Sequence, residues 1–553
     1  MRIFAVVLLA AVTALPVDGQ TRRKTTKKAT VSSAAKKKAA AAAAKKRAAT
    51  STAKKRAATS TAKKRAASRS RQSSAKGRRT ARRTVRRPVV PAVPPVVATF
   101  PRSAMALKSD MGVMANRVRG GLFGIMAVSL TRGDTLFTHN AGTPLVPAST
   151  LKMLTAAVAL ERLGPRYQFS TDVLYDGTLG ADGTLNGNLY LRGDGDPTLG
   201  GRYLSGGPAA PMNLLAEQIA ARGIRTVTGE VIGDATAFDD QRIPEGWLSR
   251  YLQSGYAARV SGLSLNENLI WVTVVPGQGA KLEPATSAIP IFNNVRTVKG
   301  GGARLSIRRT SEGAITVSGT IGSGSPPRRY VYVVEHPAPF ATGALRSALV
   351  TKGIAVAGGI RLGKTPQGAT KVASVASPTL DRILAAMNRE SINHYAELVL
   401  RNAARGPERN AVGTIANSRS LLRQFFRDKV GADSIALQIA DGSGLSTLDR
   451  VTARSMVQML GYAHRAPWGP YFHASLPVAG ESELLRRRMR GGSAQGNLHA
   501  KTGTTNDVVG LGGYVTALNG EVIAFSFVYN GRDRWTAKSM MDAMGQTMSN
   551  FAR

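Results

Sequence analysis

Ser149 and Lys152, in Pro147-Ala148-Ser149-Thr150-Leu151-Lys152-Met153-Leu154-Thr155, place a hydroxyl and an amine three residues apart where a helix is expected to begin. Side chains at i and i+3 share a helical face, so the amine would lie within hydrogen-bond reach of the serine oxygen. A free serine is a weak nucleophile, and a free lysine, with a pKa of about 10.4, is protonated at neutral pH. Burial and nearby cations lower that value and turn the amine into a usable base. Alone, the tetrad carries little weight, because a serine N-cap followed by a helical lysine arises by chance in most chains. Two later stretches add matching chemistry: Ser391-Ile392-Asn393, which reads as the opening of a second helix, and Lys501-Thr502-Gly503-Thr504, beside a pair of strands.

Periodicity gives the elements that must hold these residues. From Ser103 a helical pattern (Met105, Leu107, Met111, Met114) leads into an apolar run, Gly121 to Leu130, a turn at Arg132-Gly133-Asp134 and a return strand, Thr135 to Asn140. The connection 141–148 then delivers Ser149 to a helix reaching about Leu163. A helical pattern resumes at Ser377, passes through Ser391 and continues to about Ala466. Val508 to Leu518 and Glu521 to Tyr529 flank Asn519-Gly520, a strong hairpin signal, and Ala537 to Met548 reads as an amphipathic helix. Between 166 and 372, short strand-like runs alternate with Gly and Asp turns, joined by one helix-like stretch, Pro339 to Lys352. The expected class is α+β: an antiparallel sheet with helices, formed by 101–165 and 373–553 and interrupted by a β-rich insertion, 166–372, of one or two domains.

Of the formal charge of +43, Thr21 to Val90 carry 26 as Lys and Arg with no Asp or Glu, which leaves +17 for the other residues. Met1-Arg2 and the apolar run Ile3 to Leu15 have the flanks and length of a secretory signal, placed at 1–19. Residues 20–100 then read as a disordered arm, with a nine-residue repeat, Lys-Lys-Arg-Ala-Ala-Thr-Ser-Thr-Ala, starting at Lys45 and Lys54, and a Pro-rich linker. Export makes nucleic acid an unlikely partner for this polycation; an anionic envelope polymer or lipid surface, or no specific ligand, fits better. Absence of cysteine removes disulfides and thiolate chemistry, and no Asp/Glu/His set has metal-ligand spacing, so neither metal nor cofactor is expected.

The S-x-x-K, S-x-N and K-T-G motifs resemble those of β-lactamases and penicillin-binding proteins. Their separations, 242 residues from Ser149 to Ser391 and 110 from Ser391 to Lys501, resemble the low-molecular-mass penicillin-binding proteins of the D-alanyl-D-alanine carboxypeptidase/endopeptidase family, which carry a large insertion between the first two motifs. Gly195-Asp196-Pro197-Thr198-Leu199, Asp441-Gly442-Ser443-Gly444-Leu445-Ser446 and Leu476-Pro477-Val478-Ala479-Gly480 agree with that family; Ile392, Glu481-Ser482-Glu483 and Thr505 depart from its commoner residues. The resemblance implies a penicillin-binding/β-lactamase-like transpeptidase fold and an exported, periplasmic or envelope enzyme that cleaves peptidoglycan stem peptides through an acyl-enzyme on Ser149 and is acylated by penicillins. It implies Lys152 as base, Ser391 as proton relay, and Asn393 as a support for the Lys152 amine or the substrate amide. Lys501 would be the positive charge that holds the substrate carboxylate and keeps Lys152 neutral. Thr502, Gly503 and Thr504 would bind substrate, and the amides of Ser149 and Thr504 would form the oxyanion hole.

Carboxypeptidase and endopeptidase action stay open, since both use one nucleophile. Two alternatives stand beside this reading: another serine acyl hydrolase on the same fold, a β-lactamase or esterase, and a non-catalytic envelope-binding protein whose arm does the binding. His394, beside Asn393, invites a Ser-His pair, but a helix would turn it away from Ser391. Asp196, Asp239 and Asp240 could meet the amine of a diamino-acid stem or simply cap their turns.

Overall fold

The first described helix, α1 (Ala104–Arg117), starts where Ser103 accepts a hydrogen bond from the Ala106 amide at 3.1 Å, and it buries Leu107, Met111 and Met114 along one stripe. This computed structural model describes residues 97–310, 313–408, 411–432 and 437–553; the expected signal and all but the last residues of the expected arm lie outside them. After α1 come β1 (Gly121–Ser129), β2 (Thr135–His139), a single tight turn at Ala148–Leu151, and α2 (Lys152–Leu163).

The chain returns to this layer at α3 (Leu380–Glu390) and goes on through α4 (Asn393–Arg405), α5 (Ala453–Arg465), the short α6 (Gly469–Ser475), β3 (His499–Thr504), β4 (Val508–Thr516), β5 (Val522–Gly531) and α7 (Arg534–Ser549). The five strands form one antiparallel sheet in the order β3-β4-β5-β1-β2, so strands from either side of the interruption meet at its centre, Gly121 opposite Gly531 and Ser129 opposite Ile523. Alternation along β5 sends Phe525, Phe527 and Tyr529 into a core with α1 and α7, while Ala524 joins the opposite core with α2 to α6. Each of the large side chains buried there stabilises the fold by roughly 1.5–3 kcal/mol. β3 is left at one edge, beside the helical layer.

Between α2 and α3 the chain builds a separate hydrophobic core. Its main sheet runs, in spatial order, through Ile360–Leu362, Val231–Asp234, Leu189–Arg192, Ser170–Tyr175 and Thr370–Ala376. The antiparallel pairing of Ser170–Tyr175 with Thr370–Ala376 brings the two ends of this segment side by side. Several of its pairs are parallel, which requires crossovers. Helix Ala210–Ala221, additional to the elements expected from sequence, bridges one of them, and helix Pro337–Thr351 packs beside it. A four-stranded and two three-stranded sheets complete the insertion.

Candidate active site

The tight turn Ala148–Leu151 and α2 put Ser149 and Lys152 on one face, and Lys152 Nζ lies 3.0 Å from Ser149 Oγ. Ala148, immediately before the nucleophile candidate, has φ +46°, a left-handed conformation that is uncommon for residues with a side chain and is held here by the packing around it. The same Lys152 amine lies 2.6 Å from Asn393 Oδ1 and 2.7 Å from the Ser443 carbonyl oxygen. Those two oxygens can only accept. A neutral amine has two N–H groups and one lone pair, so it donates to both and turns the lone pair to the Ser149 hydroxyl, which then donates to it. Lys152 is fully buried, and burial pulls its pKa down to about 8, against the opposing field of Asp441, Glu397 and Asp449. Of the two expected causes, burial and nearby cations, burial dominates at Lys152, and Lys501, its own pKa lowered by burial, is lowered further by repulsion from Lys152.

Ser391 does not open a helix, as the sequence suggested. It is a left-handed linker, φ +61°, between α3 and α4, and the helix begins at Asn393. The break aims its hydroxyl at β3, where Lys501 Nζ donates to Ser391 Oγ at 3.0 Å and to the Thr502 carbonyl at 2.9 Å. Residues 149, 152, 391, 393 and 501 thus form one cluster. Gly503 presses against the Ser149 turn: a Cβ there would sit 2.8 Å from the Pro147 oxygen, 3.1 Å from the Thr150 nitrogen and 3.2 Å from the Ser149 nitrogen. Only glycine lets β3 pass so close. Thr502 is half-buried; Thr504 is exposed and its hydroxyl donates to the Gly503 carbonyl at 2.7 Å.

Sequence reasoning missed the shell that aims these groups. The Asp441 carboxylate accepts from the amides of Ser443 (3.0 Å), Gly444 (2.6 Å) and Ser446 (2.7 Å) and from Trp247 Nε1 (2.8 Å), fixing the loop that turns the Ser443 carbonyl to Lys152. Gly444, φ +80°, seats that loop on the Ser149 turn; a Cβ would fall 1.9 Å from the Ala148 oxygen. Glu397, one turn after Asn393 on α4, takes the Gly442 amide at 3.1 Å on each oxygen and pairs with buried Arg401. Burial and the nearby Asp441 raise Glu397 to about 7. The insertion also reaches in: the Tyr256 carbonyl accepts from Asn393 Nδ2 at 2.8 Å, and the Glu245 carbonyl from Ser446 Oγ at 2.6 Å. The Asp-Gly-Ser-Gly stretch was the available signal, but it reads equally as an ordinary turn.

His394 is buried with neither ring nitrogen hydrogen-bonded, and burial pulls its pKa down to about 3, so it stays neutral and apart from Ser391. Asp196 caps its own turn, accepting from the Thr198 amide and hydroxyl at 2.7 Å each. Among the described residues, no His/Asp/Glu group is placed to hold a metal ion.

Residues 109–551 match the D-Ala-D-Ala carboxypeptidase 3 (S13) family. The chain is 33% identical over 456 residues to the D-alanyl-D-alanine carboxypeptidase of an Actinomadura species, covering 79% of this chain and 82% of that protein. It is 27% identical over 428 residues to D-alanyl-D-alanine carboxypeptidase DacB of Haemophilus influenzae, covering 74% and 86%. The crystal structure of penicillin binding protein 4 from Haemophilus influenzae superposes with a TM-score of 0.66 at 22% identity, over 80% of this chain and 98% of that one, a likeness of fold.

Proposed function

The chain belongs to the D-Ala-D-Ala carboxypeptidase 3 (S13) family and is a serine-type D-alanyl-D-alanine carboxypeptidase, and on that footing we propose how its residues divide the reaction. Ser149 Oγ attacks the carbonyl carbon of the penultimate D-alanine of a stem peptide as its proton passes to the Lys152 lone pair. The carbonyl oxygen takes the developing charge toward the amides of Ser149 and Thr504, which the close pass of Gly503 brings together. Ser391, held by Lys501, hands its proton to the departing amine of the terminal D-alanine and takes in its place the proton that Lys152 received from Ser149, and water then hydrolyses the ester. Lys501, Thr502 and Thr504 hold the terminal carboxylate, whose charge offsets the cost of a protonated Lys501.

One observation carries this reading: both acceptors at Lys152, Asn393 Oδ1 and the Ser443 carbonyl, consume its N–H groups and leave only the lone pair for Ser149. A β-lactam mimics the scissile amide and leaves its acyl group on the serine. Mass spectrometry after incubation with benzylpenicillin tests the assignment: an adduct on the tryptic peptide containing Ser149, absent in Ser149→Ala, is expected, and folded protein with no adduct overturns it. The signal-like start and the peptidoglycan substrate support export to the cell envelope, and the Lys/Arg-rich stretch before residue 97 supports attachment to an anionic envelope polymer. Among the described residues no helix is long and apolar enough to cross a membrane.

A further inference from the structure

One of the insertion's three-stranded sheets consists of Ile291–Val298, Ile315–Gly322 and Ala303–Arg309 in spatial order, paired without a bulge, so its residues stand in straight cross-strand rows. Successive side chains along a strand point to opposite faces. One face sends Val295, Leu305, Ile307, Val317 and Ile321 into the insertion's core. The other is open to solvent, with Phe292 54% exposed at one end and Val298 44% exposed at the other. On that outer face Phe292, Thr316 and Arg308 form one row, and Arg296, Thr320 and Arg304 another. Asn294, Ser318 and Ser306 stand in the row between them.

Among the described residues, none of the polar side chains in these rows makes a hydrogen bond or an ion pair, and Arg296, Arg304 and Arg308 are all exposed. Elsewhere on the insertion Arg192, Arg259, Arg309, Arg329 and Arg361 each hold a carboxylate. Residues 291–322 contain five Arg and Lys against one acid, Glu312, and no acid stands in the rows. A face that needed only solubility, or an edge strand that needed only to repel another strand, is served by either sign of charge and usually mixes them. Here a single sign is used, and only as guanidinium on the face. Arg296 and Arg304 share a row on strands two spacings, about 9.5 Å, apart, close to the screening length of about 8 Å at physiological salt. Their repulsion costs stability in the free protein, and a bound polyanion removes it.

We propose that this face is a second, non-catalytic site for the peptidoglycan polymer, an inference that rests on the stem-peptide substrate given above. Arg296, Arg304 and Arg308 take carboxylates of uncut stem peptides, for which the planar fork of guanidinium is suited. The Asn294-Ser318-Ser306 row and the two threonines offer both donors and acceptors to the sugar hydroxyls and peptide amides between those charges. A lipid surface would instead call for apolar side chains among the arginines, and the middle row has none. Each contact is exposed and weak by itself. The polymer held here is the one whose stems reach Ser149, so even a weak second contact raises the effective concentration of stems at the cleft.

The test is arginine footprinting of the full chain carrying Ser149→Ala, which leaves the polymer uncut. The protein is mixed with purified peptidoglycan sacculi, exposed to phenylglyoxal, and its modified arginines are located by mass spectrometry. Each position is read separately, so arginines of the basic N-terminal stretch do not enter the result. Arg296, Arg304 and Arg308 should be modified several-fold more slowly with sacculi present, while the exposed Arg222 and Arg225, outside this face, keep their rates. Raising salt from about 0.1 M to about 1 M, which shortens the screening length from about 10 Å to about 3 Å, should remove the protection. With Ser149 restored, the combined variant Arg296→Gln, Arg304→Gln and Arg308→Gln should lose about tenfold in kcat/KM on sacculi and keep its rate of acylation by benzylpenicillin. No protection by sacculi, equal protection of Arg222 and Arg225, or protection by phosphatidylglycerol vesicles in place of sacculi overturns the proposal. Because footprinting does not need Ser149, a chain that forms the penicillin adduct but shows no protection overturns this site alone and leaves the assignment of the cleft standing.

Discussion

The chemistry of this protein depends on the charge state of one buried amine. With Lys152 near a pKa of about 8, the neutral form that can take the Ser149 proton is the minority at neutral pH and becomes the majority above about 8. The rate of acylation by benzylpenicillin should therefore fall about tenfold per pH unit below that value and level off above it, as stopped-flow measurement of the adduct can check. A profile flat between about pH 6 and 9 would remove Lys152 from the base role. Gly503 gives a second residue-scale expectation. A Cβ 2.8 Å from the Pro147 oxygen must push β3 off the Ser149 turn. Overpacking of this kind costs roughly 1–3 kcal/mol, so Gly503→Ala should slow acylation by about ten- to a hundredfold while circular dichroism stays native.

At the scale of elements, the cleft is a junction of a turn, a helix break, a loop and an edge strand. Each is irregular for a local reason: the left-handed Ala148 and Ser391, the Asp441 carboxylate gathering three amides, and the end of the sheet at β3. The insertion enters this junction through 245–256, which holds Asp441 by Trp247 and Asn393 by the Tyr256 carbonyl. Trp247→Phe keeps the packing and deletes one bond to a buried carboxylate, a loss of roughly 1.5–3 kcal/mol. Its penicillin acylation rate should drop about tenfold or more, and the drop should be much smaller when Asp441 is already Asn, as a double-mutant cycle would show. Equal effects in both backgrounds would mean that Trp247 acts elsewhere.

In the molecule as a whole, the two halves have their own hydrophobic cores, and the insertion begins and ends on paired strands. Geometry therefore permits a short linker in place of 170–376, and a chain so shortened keeps Ser149, Lys152, Ser391, Asn393 and Lys501. It should nevertheless fail to form the labelled penicillin adduct on a gel, because Asn393 Nδ2 and Asp441 lose the partners that orient them. A chain beginning at Val97 retains every residue of the cluster and should acylate at the rate of the full-length protein. Loss of the adduct in that second chain would place part of the cleft's support in the first 96 residues.

Read alone, the sequence determined the motif residues, the α+β class and the hairpins flanking Asn519-Gly520 and Arg132-Gly133-Asp134, and it led to the expectation of a β-rich insertion over 166–372, because these signals are local: a period of two or 3.6, a turn dipeptide, a composition change. Tertiary structure alone decided which oxygens face Lys152, that burial is the main cause of its lowered pKa, and that Asp441, Glu397, Trp247 and Tyr256 stand behind the site. Those facts depend on groups up to 291 residues apart lying within a few ångströms of one another where water is excluded. Desolvation and hydrogen-bond direction are properties of that shared space, and no single stretch of chain contains them.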